Sequence, residues 1–241
     1  MFFTIKKYDI ISSIIFLLVL AATCSIINYG YKSVTASSLP FNKKIIVIDA
    51  GHGNPDGGAI GINGSIEQQI NLKVSLKLQR LLEQSGAYVI LTRSDENSVS
   101  EELDRKIREI KRDDLKIRKD MRDNSGCDAF ISIHMNKFEE EKYSGAQVFY
   151  GEYPDGSKNL GECIQSNLKL HVDQNNNRAA KLSKDIYLLK HAQVPSVVVE
   201  CGFLSNAHEE ALLNDENYQN KIAYGIYHGI VDYFDENRVQ N

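Results

Sequence analysis

Three polar side chains stand where apolar segments of this chain stop, and a fourth opens a helix. His52 follows Ile45-Ile46-Val47-Ile48-Asp49, His134 closes Phe130-Ile131-Ser132-Ile133, and Glu200 follows Val197-Val198-Val199. Glu67 opens a helical pattern after a glycine-rich loop, Gly51 to Gly64. Two histidines and one carboxylate with an open fourth position form a catalytic zinc set. A second carboxylate beside the ion can take a proton from water. Taken singly, each residue has a plainer reading. His52 could be a solvated loop residue, His134 a satisfied strand histidine, and Glu67 a first-turn acid facing the helix dipole. Glu200 resists that treatment, because a carboxylate after three valines is partly buried and an unpaired buried charge is costly.

The elements that must bring these residues together are legible. Ile45–Asp49 is a short continuous apolar run, the pattern of a buried strand. Ser65 and Gln68 have capping-box spacing, and Ile66, Ile70, Val74, Leu78 and Leu82 recur every fourth residue, which predicts an amphipathic helix. Gly86 ends it, and Tyr88–Leu91 is a second strand. A charged helix is expected over 101–124. Strands follow at 130–134 and at 146–150, the latter nearer an edge. Next come a helix at 157–170, an Asn-rich loop at 171–178, a short strand at 187–189, a buried strand at 197–200 and closing helices at 208–213 and 218–234. Alternating strands and helices imply an α/β fold: a single three-layer domain, with a mostly parallel twisted sheet and helices on both faces. Ligands of such sheets lie beyond the carboxyl ends of the strands, the edge where His52, His134 and Glu200 would meet and which Glu67 can reach.

Composition narrows the classes. The net charge is −4. The first forty residues carry +2, so the remainder is acidic and has no basic stripe interleaved with aromatics, which argues against nucleic acid as a partner. Lys6 and Lys7 precede an apolar run, Ile10 to Ile27. As a helix it would span about 27 Å, close to the ~30 Å hydrocarbon core. We expect residues 1–28 to be a membrane anchor or signal segment, 29–42 a linker and 43–241 the catalytic domain, exported because the positive flank stays inside. A cleaved signal would be cut after Val34-Thr35-Ala36. Cys24, Cys127, Cys163 and Cys201 show no C-x-x-C spacing and read as small hydrophobes rather than a disulfide framework. The charged run Glu101 to Asp123 mixes both signs and reads as a solvated face. His171, His191, His208 and His228 read as structural or exposed.

Three stretches together resemble a known family, the type 3 zinc-dependent N-acetylmuramoyl-L-alanine amidases. They are Ile48-Asp49-Ala50-Gly51-His52-Gly53 with Asp56-Gly57-Gly58-Ala59 and Glu67; Phe130 to Asn136; and Pro195 to Asn206. Leu91-Thr92-Arg93 and the Arg118 to Asn124 segment also match. The resemblance covers about residues 44 to 234. Ala50 stands where the family usually has proline and Gln68 where lysine is common; neither is a ligand. The resemblance implies that His52, Glu67 and His134 bind one Zn2+ and that Glu200 is the general base and then the proton donor. The bond cut would join the lactyl group of N-acetylmuramic acid to L-alanine of peptidoglycan. The loop Gly53–Ala59, the lack of an appended wall-binding domain and the N-terminal segment are most similar to germination-specific members. That implies spore-cortex peptidoglycan as substrate, with peptide removal preparing muramic acid for the muramic lactam, and an accessory protein for localisation or activation.

Asp49 or Asn136 is expected to orient a histidine. Arg93 and Arg118 are expected to form ion pairs within the fold, with substrate binding as the alternative. Other functions remain open on the sequence: a zinc peptidase or deacetylase acting on the cell wall, a non-catalytic wall-binding module, or a membrane-tethered structural protein.

Overall fold

The computed structural model describes residues 7–33, 39–100 and 105–239. It divides into two compact units, Met1–Leu39 and Pro40–Asn241. The first holds helix α1 (Lys7–Ser33), which contains the apolar run. Among the described residues no helix is long and apolar enough to cross a membrane. The candidate cleavage stretch Val34-Thr35-Ala36 and residues 101–104 of the charged run lie outside the described residues.

The second unit is built on six strands: β1 (Ile45–Ala50), β2 (Tyr88–Leu91), β3 (Ala129–Asn136), β4 (Gln147–Tyr150), β5 (Lys181–Leu182) and β6 (Ser196–Phe203). Their order is β2-β1-β3-β6-β4-β5. The first four run parallel, as the β-α-β pattern predicts. β4 lies antiparallel to β6, and β5 parallel to β4. The helices are α2 (Glu67–Gln84), α3 (Ile107–Asn124), α4 (Gly156–His171), α5 (Ala207–Asn214) and α6 (Glu216–Val239).

Side chains alternate across the sheet, so β1 feeds two cores. Ile46 and Ile48 join Ile131, Ile133, Val197 and Val199 under the fourth-residue stripe of α2 and the buried faces of α4 and α6. Val47 and Phe130 face the other way, with Leu188, Cys127 and the half-buried Leu115 of α3. Phe41 is sealed into the larger core, edge-on to Tyr227 at 5.8 Å and Phe234 at 5.9 Å. Burying such a ring contributes about 1.5–3 kcal/mol.

Two local expectations are corrected. Ser65 does not cap α2. The amides of Glu67 and Gln68 donate instead to the carbonyls of Ala59 (2.9 Å) and Gly57 (3.1 Å), while the Ser65 hydroxyl accepts from Asn214. The glycine loop thus folds over the helix start and supplies the acceptors a capping serine would have given. Residues 187–189 form a 3-10 turn, not a strand. Leu188 and Leu189 are both buried, which a strand's alternation would not allow on a one-sided edge, and Leu189 N donates to Ile186 O. The edge strand is β5, two exposed residues with no apolar pattern to announce them.

The cysteines are all free; Cys127 and Cys201 are buried, Cys163 is half-buried and Cys24 exposed.

Candidate metal centre

β1 and β3 are neighbours, so their carboxyl ends deliver His52 and His134 to the same edge. The chain turns sharply at His52, whose φ of 62° is left-handed, and this swings its ring over the sheet end. Its Nε2 lies 3.2 Å from Glu67 Oε2. His134 Nδ1 lies 2.9 Å from Glu67 Oε1. One donor atom from each of the three residues falls within 4.8 Å of the other two. Two glycines make the space. A Cβ on Gly51 would sit 2.3 Å from the His134 ring, and one on Gly58 2.5 Å from Glu67 Oε2 and 2.7 Å from His52.

Glu67 is held from several sides. Oε2 accepts from Ala59 N (2.8 Å), and Oε1 from Met135 N (3.1 Å) and Asn71 Nδ2 (3.3 Å). Burial alone would raise its carboxyl, but the two imidazoles outweigh that and hold it far below the usual carboxylate range. Burial would likewise depress His52; hydrogen bonds to Asp56 and Glu67 prevail and lift it to about 9. A metal ion would have to displace that proton.

Glu200 stands beside His134, its Cα partner across the β3–β6 ladder. Pairing shifts register between His134 and Asn136, the kind of irregularity that re-aims side chains near sites. Oε2 of Glu200 is buried without a hydrogen-bond partner. Burial raises this carboxyl to about 7; His134 and His52 pull it down and Glu67 pushes it up. A buried acceptor left open next to three convergent donor atoms is the arrangement a proton-shuttling water would complete.

Neither residue expected to orient a histidine does so. Asp49 is fully buried and accepts from Thr92 (2.8 Å), Ser132 (2.5 Å) and Arg118; it lines the same cavity as the two imidazoles, but none of these bonds reaches a histidine. Asn136 Oδ1 accepts from the next backbone amide, Lys137 N. The orienting carboxylate is Asp56, whose Oδ2 lies 2.8 Å from His52 Nδ1 and 3.1 Å from Lys111 Nζ. Its signal was an Asp four residues after His52 in a loop whose path only the folded chain shows. An Asp56→Asn variant should bind the ion about 10–100-fold more weakly, checked by competition with a chromophoric chelator; unchanged affinity would remove Asp56 from the site.

Arg118 forms the ion pairs expected of it; Arg93 makes none among the described residues and binds backbone carbonyls instead. Both are buried. Arg118 bridges Asp49 and Asp114 and donates to the carbonyls of Ala50 (2.7 Å) and His52 (2.6 Å). Arg93 donates to the carbonyls of Ala50, Gly51 and Gln68. Together they clamp the backbone that carries His52. Glu210 of α5 performs a similar service for the glycine loop, accepting from Asn63 N and Ser65 N. Among the remaining histidines, His171 and His228 are half-buried and pack edge-on against Tyr224, and His191 and His208 are exposed.

A parallel sheet edge carrying two imidazoles and two carboxylates around one small space defines a metallohydrolase architecture. The chain belongs to the N-acetylmuramoyl-L-alanine amidase family Amidase_3, whose model matches residues 46–232. It is 39% identical over 200 residues to the germination-specific N-acetylmuramoyl-L-alanine amidase of Bacillus subtilis (strain 168), covering 83% of each chain. Among solved structures, it is similar to the CwlD amidase of Clostridioides difficile in complex with the GerS lipoprotein, at 49% identity and a TM-score of 0.78, covering 80% of this chain and 100% of that one. It is also similar to an N-acetylmuramoyl-L-alanine amidase of Clostridium difficile 630, at 29% identity and a TM-score of 0.69, covering 80% and 98%. The α/β fold and the amidase activity expected from the three motifs are thereby borne out.

Proposed function

We propose that this amidase cuts the bond between the lactyl group of N-acetylmuramic acid and L-alanine in spore-cortex peptidoglycan, with one zinc ion held by His52, Glu67 and His134 and with Glu200 as the proton-transfer group. The observation that carries the reading is the convergence of three donor atoms within 4.8 Å beside the open buried oxygen of Glu200. Two nitrogens and one carboxylate suit zinc and leave a position for the reacting atoms. When bound, the ion supplies Lewis acidity, acidifying a water molecule and polarising the amide carbonyl. Glu200 accepts the proton of the attacking water. It then returns that proton to the departing amine of L-alanine, which leaves only when protonated. Asp56 keeps the His52 ring turned towards the other donors, and Arg93 and Arg118 keep its backbone still.

The germination-specific relative supports the cortex as substrate. Export through the N-terminal segment, as an anchor or a cleaved signal, is part of the same proposal, as is an accessory protein. The lipoprotein in the C. difficile CwlD complex supports the latter.

The test is mass spectrometry of muropeptides after incubation with the full chain and zinc. Free lactyl carboxylates and alanine amino termini should appear. Cleavage within the peptide, or loss of acetyl groups, would instead mark a peptidase or a deacetylase. His134→Ala should lose the metal, with zinc content below about a tenth of wild type because one of three protein ligands is gone. Full zinc occupancy in that variant would refute ligation.

A further inference from the structure

Along α3 runs a groove of about 1000 Å³. Arg108, Lys111, Arg112 and Lys116 line it, against two acids, Glu109 and Asp113. Asp113 is already engaged, 2.9 Å from Arg105 and 3.5 Å from Arg112. Lys111 reaches Asp56. Arg108 and Lys116 are exposed and make no ion pair among the described residues. The opposite wall is Tyr187, 43% exposed.

This groove adjoins the candidate metal centre. A smaller cavity, lined by His52, His134 and Asp56, shares Lys111 and Leu115 with it. Leu188 lines the small cavity and Tyr187, its neighbour in the 3-10 turn, the large one. Residues of α3 and of the 3-10 turn therefore border both cavities.

We propose that the α3 groove seats the acidic stem peptide on the amine side of the amide being cut, with Arg108 and Lys116 as its carboxylate contacts. The proposal rests on the amidase reading above. The chemistry of the two halves of the substrate separates them: the peptide carries free carboxylates, whereas a strand of N-acetylated sugars carries no fixed charge. Cations beside the metal centre thus match the peptide half. The face that reads in the sequence as a merely solvated mixture of signs presents, once folded, two cations unpaired among the described residues to the cavity beside the site. Exposed charge pairs are individually weak and are screened by salt within about 8 Å at physiological ionic strength, so the effect should be additive over the two residues and salt-dependent.

The experiment uses the full-length chain and a synthetic stem tetrapeptide, with its carboxylates free or amidated, titrated by NMR at low and high salt. Wild type should prefer the free acid. The double reversal Arg108→Glu/Lys116→Glu should weaken binding of the free acid about tenfold and abolish the preference. Lys169→Glu, an exposed reversal on α4, should change nothing. In muropeptide hydrolysis the double reversal should raise KM by the same factor with kcat unchanged. Equal affinity for free and amidated peptide in wild type, or an unchanged dissociation constant in the double reversal, would overturn the proposal. So would a reversal that weakened binding of peptide-free glycan, or that dissolved a dimer seen by sedimentation. Wild type that binds the acid peptide but frees no alanine amino termini defeats the amidase reading. Wild type that frees them with a KM indifferent to the reversal defeats the groove alone.

Discussion

Glu200→Gln should lower the rate of amide hydrolysis by about 10²–10⁴-fold while leaving zinc content at the wild-type level. Glutamine keeps the shape of the side chain and cannot take a proton. The three donor atoms proposed to hold the ion come from other residues, so metal should stay. The loss should fall on kcat, because the missing proton transfer belongs to the transition state. A pH profile sharpens the expectation. Glu200 acts as a base only when ionised, so activity should fall as pH drops through its pKa. The groups of the chain alone set that value at about 7, chiefly through burial. A dication nearby favours the ionised form, which moves the acid limb of the loaded enzyme below that value. In the Gln variant the limb should vanish along with the activity. A variant retaining more than a tenth of wild-type turnover would remove Glu200 from proton transfer, whatever else it does.

Arg118→Ala should be the most damaging change away from the ligands, destabilising the domain by about 3–5 kcal/mol, the usual cost of stripping one partner from a buried ion pair. That is a large part of a total stability of roughly 5–15 kcal/mol. Asp49 would remain fully buried with only the Thr92 and Ser132 hydroxyls for company. The effect has a defined pH dependence. In the native protein, burial works to raise the Asp49 carboxyl, but Arg118 and the two hydroxyls overcome it and hold the pKa below the ordinary 3.8. A depressed carboxylate stabilises the fold above its unfolded pKa and loses that contribution as pH falls through the folded one. The gap between wild type and variant should therefore be widest near neutrality and close below about pH 4. Arg118→Lys should recover little, since a single ammonium cannot serve Asp49, Asp114 and two carbonyls at once. Urea unfolding at several pH values checks this, with metal titration alongside, because the His52 carbonyl loses its anchor in the same substitution. A variant within 1 kcal/mol of wild type at neutral pH would show that the clamp contributes little.

What could be read from the sequence was whatever one segment declares by itself. A run of β-branched residues that ends in His or Glu marks both a buried strand and the side chain at its tip, so β1, β3 and β6 and three of the site residues were visible. The fourth-residue stripe from Ile66 to Leu82 likewise fixed α2, and with it Glu67. What needed the folded chain was every partnership across distance. Asp49 is one ordinary acid in β1 until Arg118, sixty-nine residues on, is seen to meet it. Asp56 becomes the partner of His52 only because the loop doubles back. Ser65 lost the helix start to carbonyls of the preceding loop, a competition no spacing rule contains. β5 is a strand because β4 is there to pair with it, and its two residues carry no pattern of their own.

Gly51 ties two positions into one unit of heredity. With the His134 ring occupying the volume where its Cβ would go, any heavier residue at 51 must push the imidazole out of its present position. A substitution at 51 should therefore cost activity, and a smaller neighbour cannot relieve it, because the neighbour is the proposed ligand His134. Randomising both codons together should return almost nothing but the starting pair among active clones. Gly58 sets the same constraint against Glu67 and His52, so drift around this site is closed along both glycine contacts.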